Sequence, residues 1–116
     1  MTDYPRRGEV WWVDFDPSIG GEIRKTRPAV VISNNTANRV LNRVQVIPVT
    51  SNTERLYPAE AWVNVGGKRG KAMADQIFTA SKLRLGRRLG RISSEELAAV
   101  DRALITLLGL TPAITR

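Results

Sequence analysis

The stretch that most constrains the fold is Pro28-Ala29-Val30-Val31-Ile32. Ala29 to Ile32 is a continuous apolar, largely β-branched run, the pattern of a strand buried on both faces. Pro28 fixes its own backbone, and its ring pushes Arg27 toward an extended conformation. Arg27 therefore stands with a defined direction at the mouth of the strand. Before it come Gly20-Gly21 and a charged segment with Glu22, Arg24 and Lys25. Adjacent glycines admit backbone angles that side chains forbid, which predicts a mobile or sharply turned loop. A planar cation on rigid structure beside such a loop suits the holding of a phosphate while the loop closes over it. Spacing alone leaves the plainer alternative, an ordinary surface arginine at a strand start.

The rest of the chain reads as short strands and one long helix. Glu9–Phe15 is a strand with Trp11, Val13 and Phe15 on one face and Val10, Trp12 and Asp14 on the other. Ser33–Asn38 is turn-rich and starts a short helix through Leu41. In the strand Val44–Ser51, Pro48 cannot donate to a ladder, so that position is an edge, a bulge or a strand end. Thr50 and Ser51 fall just past this irregularity, where bent strands aim side chains. Ala61–Val65 and Lys71–Phe78 form a hairpin around a loose glycine-rich loop, Gly66–Gly70. Leu83–Ile92 is basic and interrupted by glycines, a last strand or turn. Ser93 and Glu96 make a capping box, Leu97, Val100, Leu104, Leu107 and Leu108 an apolar stripe, and Gly109 with Pro112 a stop. Five or more short strands followed by one helix imply a mainly β fold, a small twisted sheet or partly closed barrel with the helix packed on it. At 116 residues the chain, 1–116, fits a single domain.

The net charge of +7 is local. Eight basic residues lie between Lys68 and Arg91 against Asp75 alone, and the remainder of the chain is neutral. Most of the basic residues are arginine, suited to bidentate phosphate contacts and to stacking on bases. A polyanion is the natural partner, with a solvated basic face as the alternative. Trp11, Trp12 and Trp62 could stack unpaired bases or serve the core or an interface between subunits. There is no histidine and no cysteine, so disulfides, histidine acid/base chemistry and the usual zinc, iron and copper ligand sets are missing. No apolar run approaches the roughly 20 residues that span a bilayer, and the first residues lack the apolar segment of a signal peptide. The expectation is a soluble cytoplasmic protein without a membrane partner.

Together these motifs resemble the MazF/PemK-type toxins of bacterial toxin–antitoxin pairs. The matching pieces are Gly8–Pro17, Gly21-Glu22 with Lys25–Ser33, Ile47–Ser51, Ala74–Ile77, Arg84-Leu85-Gly86 and Leu89-Gly90-Arg91, running on into the terminal helix. They cover most of the chain in the family's order and spacing. The resemblance implies an SH3-like barrel of about five to seven short strands, usually a homodimer. Such toxins cleave single-stranded RNA at short sequences without a metal or other cofactor, inhibit growth, and are held inactive by a cognate antitoxin.

Carried over by position, the resemblance makes Arg27 and Thr50 the catalytic arginine and threonine, and Glu22 a loop carboxylate with an acid/base role. Lys25, Ser51, Asp75 and Gln76 are then substrate-binding positions. RNA brings its own nucleophile, the ribose 2′-OH, which suits a chain without histidine. In-line attack gives a 2′,3′-cyclic phosphate and a free 5′-OH, with Arg27 acting mainly by electrostatics because a guanidinium is a poor general base. Two other classes compete: a non-catalytic toxin on the same barrel, as among gyrase poisons, and a nucleic-acid-binding module that uses only the basic strip.

Overall fold

The computed structural model describes residues 3–16, 20 and 25–111. Seven strands form one curled sheet: β1 (Glu9–Asp14), β2 (Thr26–Val31), β3 (Arg43–Thr50), β4 (Glu60–Val65), β5 (Lys68–Met73), β6 (Phe78–Ser81) and β7 (Leu85–Arg91). A short helix α1 (Asn35–Val40) joins β2 to β3, and α2 (Ser94–Leu108) follows β7. The strand order is β4-β5-β3-β2-β1-β7, with β6 also on β3, and the pairings are antiparallel. The expected architecture, mainly β with a C-terminal helix, is the one observed: a half-barrel with α2 packed on one side.

The sheet is buried on both faces because its central strands alternate between two apolar clusters. Val10, Val30, Ile47 and Val49 meet Val100, Ala103 and Leu104 of α2 on one side. Val13, Phe15, Ala29, Val31, Val44 and Val46 gather on the other, with Trp11 packed against them. The unbroken run of β2 thus divides by the two-residue period of a strand, Val30 to one core and Ala29 and Val31 to the other. Phe15 closes the second core edge-on to Phe78, their ring centroids 5.2 Å apart.

Pro48 lies inside the unbroken strand β3, not at the edge, bulge or strand end expected for it, and the ladder accommodates its missing donor. Gln45 turns its carbonyl to the Ile32 amide at 2.9 Å, so by the alternation of an antiparallel ladder the nitrogen of Pro48 faces the opposite edge. On that edge β6 pairs with Arg43–Val46 and β5 with Val49–Thr50, so the missing donor falls between two partner strands. Thr50 ends the strand just past this handover.

Two segments differ from the sequence reading. Lys71–Phe78 is not one strand: β5 stops at Met73, a 3-10 turn spans Ala74–Gln76, and β6 begins at Phe78. The break lets the chain cross from the β4 side of β3 to its other end. The glycine loop is not loose either. Gly66 and Gly67, at φ 59° and 80°, make a two-residue turn and Val65 pairs directly with Lys68. Positive φ at both central positions is the hairpin geometry that glycine permits.

α2 carries the expected ends. The Ser93 hydroxyl accepts from the Glu96 amide, the Glu96 carboxylate accepts from the Ser93 amide, and Gly109 closes the helix at φ 65°. The stripe is buried at Val100 and Leu104, while Leu107 and Leu108 lie exposed beyond the sheet. Arg7 fastens the N-terminal segment to α2 through Asp101, at 2.6 Å, and to the Ile32 carbonyl.

Candidate active site

Arg27 and Thr50 come from neighbouring strands. The β2–β3 ladder ends at the pair Ala29–Pro48, two residues from Arg27 on one strand and two from Thr50 on the other. Both line a groove of about 770 Å³ with Lys25 and Ser51. The groove also takes in Lys68 and Arg69 from β5, Arg87 from β7, and Trp12 and Leu89 on its apolar wall. Its described lining therefore holds five cations and no carboxylate, a concentration of positive potential suited to a polyanion.

The Thr50 hydroxyl has a defined direction. Its oxygen accepts the Asn52 amide at 3.2 Å, which leaves its single hydrogen to donate. Close approach of β5 also shapes this point. A Cβ built on Gly70 would lie 2.7 Å from Val49 Cγ1 and 2.9 Å from the Thr50 carbonyl oxygen, so only glycine fits.

Lys25 sits at the other wall with φ 66°, the one non-glycine residue with positive φ among those described. Its amide donates to Asp16 Oδ1 at 3.0 Å and its carbonyl accepts from Phe15 at 2.9 Å. Arg84 adds bonds to the Asp14 and Asp16 carbonyls at 2.8 and 2.7 Å. The Asp14-Phe15-Asp16 segment is thus tied to Lys25, and it holds Lys25 in a conformation most residues avoid.

Of the expected site residues, Arg27, Thr50, Lys25 and Ser51 meet in this groove. Asp75 and Gln76 do not line it; they lie on the 3-10 turn between β5 and β6. Glu22 lies outside the described residues.

The cations of the basic strip, residues 68–91, take up different surroundings. Lys68 and Arg87 line the groove, as does Arg69, whose guanidinium turns onto the Trp62 ring outside it. Arg88 turns to Glu9 at 2.9 Å, and Arg84 donates to the Asp14 and Asp16 carbonyls. Lys71, expected among the surface cations, is buried against Glu60 instead. The split of Arg87 from Arg88 follows from strand geometry, since successive side chains point to opposite faces. The tryptophans separate as well. Trp11 packs on the core and donates to Glu9 at 3.1 Å, the Trp62 ring is covered by the Arg69 guanidinium at 3.9 Å, and Trp12 lines the groove. Sequence reasoning found Lys68, Arg69 and Arg87 only as members of an undivided strip; the strand period was the signal that could have separated Arg87 from Arg88.

Residues 6–108 match the PemK-like, MazF-like toxins of type II toxin–antitoxin systems. The chain is similar to endoribonuclease MazF9 of Mycobacterium tuberculosis (strain ATCC 25618 / H37Rv), 43% identical over 108 residues, covering 85% of this chain and 92% of that protein. It is 33% identical over 106 residues to the endoribonuclease toxin MazF of Escherichia coli (strain K12), covering 90% and 95%. Among solved structures, MazF from Deinococcus radiodurans superposes with a TM-score of 0.83 at 32% identity, over 94% of this chain and 100% of that one. An endoribonuclease from Mycobacterial species, in complex with its cognate antitoxin, superposes with a TM-score of 0.78 at 29% identity, over 94% and 99%.

Proposed function

Because the chain belongs to the PemK-like, MazF-like toxins of type II toxin–antitoxin systems, we propose that it is an endoribonuclease acting on single-stranded RNA, with Arg27 and Thr50 as its catalytic donors. The observation that carries this reading is the meeting of Arg27 and the directed Thr50 hydroxyl in a groove lined by four further cations.

The reaction needs no nucleophile from the protein. The 2′-oxygen next to the scissile phosphate attacks in line, the P–O2′ bond forms and the P–O5′ bond breaks. The 2′-proton passes to a base, and the departing 5′-oxygen takes up a proton. The products are a 2′,3′-cyclic phosphate and a 5′-OH. Charge that builds on the phosphoryl oxygens is met by the Arg27 guanidinium and the Thr50 hydroxyl. Donors fixed in advance at such a place each contribute about 10²–10³ in rate. Arg27 is assigned to electrostatics and Glu22 to the base.

Lys25 and Ser51 bind beside the scissile group, and Lys68, Arg69 and Arg87 hold flanking phosphates. Asp75 and Gln76, outside the groove lining, would meet RNA that runs beyond it. The protein acts in the cytoplasm as a homodimer of one-domain subunits and is held inactive by an antitoxin. Among the described residues no helix is long and apolar enough to cross a membrane.

An RNA oligonucleotide bearing one cut site tests the chemistry. Replacing the ribose 5′ to the cut by 2′-deoxyribose is expected to abolish cleavage while leaving binding within about threefold, because phosphate contacts dominate affinity. Continued cleavage at the deoxy position would exclude attack by the 2′-OH.

A further inference from the structure

Lys71 stands opposite Thr50 in the β3–β5 ladder, yet it is only 4% exposed and does not line the groove. Its Nζ donates to the Arg55 carbonyl, pairs with Glu60 Oε1 at 3.2 Å and lies 5.6 Å from the centre of the Tyr57 ring. Glu60 Oε1 also accepts the Tyr57 amide at 2.8 Å. These partners share one property: they belong to the segment that leaves Thr50, or to the first residue after it. Residues 51–59 run without regular structure, starting with the Asn52 amide on the Thr50 hydroxyl and the Glu54 amide on Asn52. An ammonium is costly to bury unless it is paired and hydrogen-bonded, so a lysine kept here serves its partners rather than the solvent.

We propose that Lys71 is a positioning residue for RNA cleavage: by clamping residues 55–60 to β5 it fixes the segment that holds the Thr50 hydroxyl and Ser51 in the groove. The proposal rests on the endoribonuclease reading. Side chains that act in catalysis must be held to a fraction of an ångström by their supporting contacts, and a misplacement of about 1 Å can cost about a hundredfold.

The test uses the double variant Lys71→Met with Glu60→Gln, which leaves no buried charge unpaired and keeps an oxygen for the Tyr57 amide. Val100→Ala, in the core beneath α2, is the control for lost stability alone. Both are read well below their melting temperatures, by amide exchange over residues 52–59 and by single-turnover cleavage with oligonucleotide affinity measured separately. In the double variant, exchange in the segment is expected to rise by about tenfold or more. The cleavage rate is expected to fall about 10- to 100-fold with affinity nearly unchanged. The control keeps both values. Unchanged exchange and rate, or a loss confined to affinity, would overturn the proposal. Should the double variant not fold, Glu60→Gln alone carries the test: the same split to a smaller degree supports the clamp, and wild-type exchange and rate overturn it. If the wild-type protein cuts no RNA, the endoribonuclease reading fails by itself, while segment exchange still decides whether the clamp exists.

Discussion

Gly70→Ala tests how tightly β5 is fitted against Thr50. The added Cβ would start 2.9 Å from the Thr50 carbonyl oxygen and 2.7 Å from Val49 Cγ1, whereas ordinary contact begins at 3.4 Å. Relief therefore requires a shift of about 0.5 Å at the backbone of Thr50, and more at a valine whose side chain has little rotational freedom. Overpacking of this kind costs about 1–3 kcal/mol, which lowers Tm by roughly 4–12 °C for a domain of this size. Half an ångström at a catalytic hydroxyl should also reduce kcat by about tenfold, since about 1 Å can cost a hundredfold. Melting curves and single-turnover cleavage well below Tm measure the two effects separately. Gly86→Ala is the matched control, because its Cβ would lie 3.7 Å from Trp12 and needs no displacement. A Gly70→Ala variant with wild-type Tm and kcat, or a Gly86→Ala variant equally impaired, would refute the close-approach argument.

Other outcomes follow from the same geometry. Arg27→Ala and Thr50→Ala should each lose about 10²–10³ in kcat with an unchanged melting curve, while Thr50→Ser, which keeps the hydroxyl, should retain most activity; single-turnover rates check this. RNA binding should weaken steeply with salt, because each phosphate neutralised on a single strand contributes about −0.7 to the slope of log K against log salt. If all five groove cations engage, that slope approaches about −3.5, and Lys68→Ala, Arg69→Ala or Arg87→Ala should each reduce it by about 0.7, whereas Arg88→Ala, on the opposite face, should leave it alone. Ser93→Ala removes the α2 cap at a cost of about 1 kcal/mol, visible in chemical denaturation, with cleavage at 25 °C unaffected.

The features legible in the sequence are those set by local rules. β1 sorts Trp11, Val13 and Phe15 from Val10 and Trp12 by period two, and β2 announces its double burial by an unbroken apolar run. The capping box fixes the start of α2, whereas Pro48, expected at an edge, a bulge or a strand end, lies inside the unbroken strand β3, at the point where its partner on one side changes from β6 to β5. What the chain does not state locally is tertiary. Nothing in Ala72-Met73-Ala74-Asp75 marks where β5 must stop, because the 3-10 turn exists to carry the chain from one end of β3 to the other. Lys71 reads as one more surface cation until β4 brings Glu60 beside it. Arg88 and Arg84 likewise acquire their partners, Glu9 and the carbonyls of Asp14 and Asp16, only from β1 and the turn after it. Arg27 and Thr50, separated by most of two strands and a helix, line one groove because the β2–β3 ladder sets their strands side by side; their type and order were readable, their shared groove was not.

The most direct test of the central claim is incubation of the purified protein with a long single-stranded RNA and with its DNA counterpart, in excess chelator, followed by mapping of the cut ends and repetition with Arg27→Ala. Discrete RNA cuts ending in 2′,3′-cyclic phosphates, intact DNA and an inactive Arg27→Ala protein are the expected result. Intact RNA, cleavage of both strands, or full activity in Arg27→Ala would contradict the account.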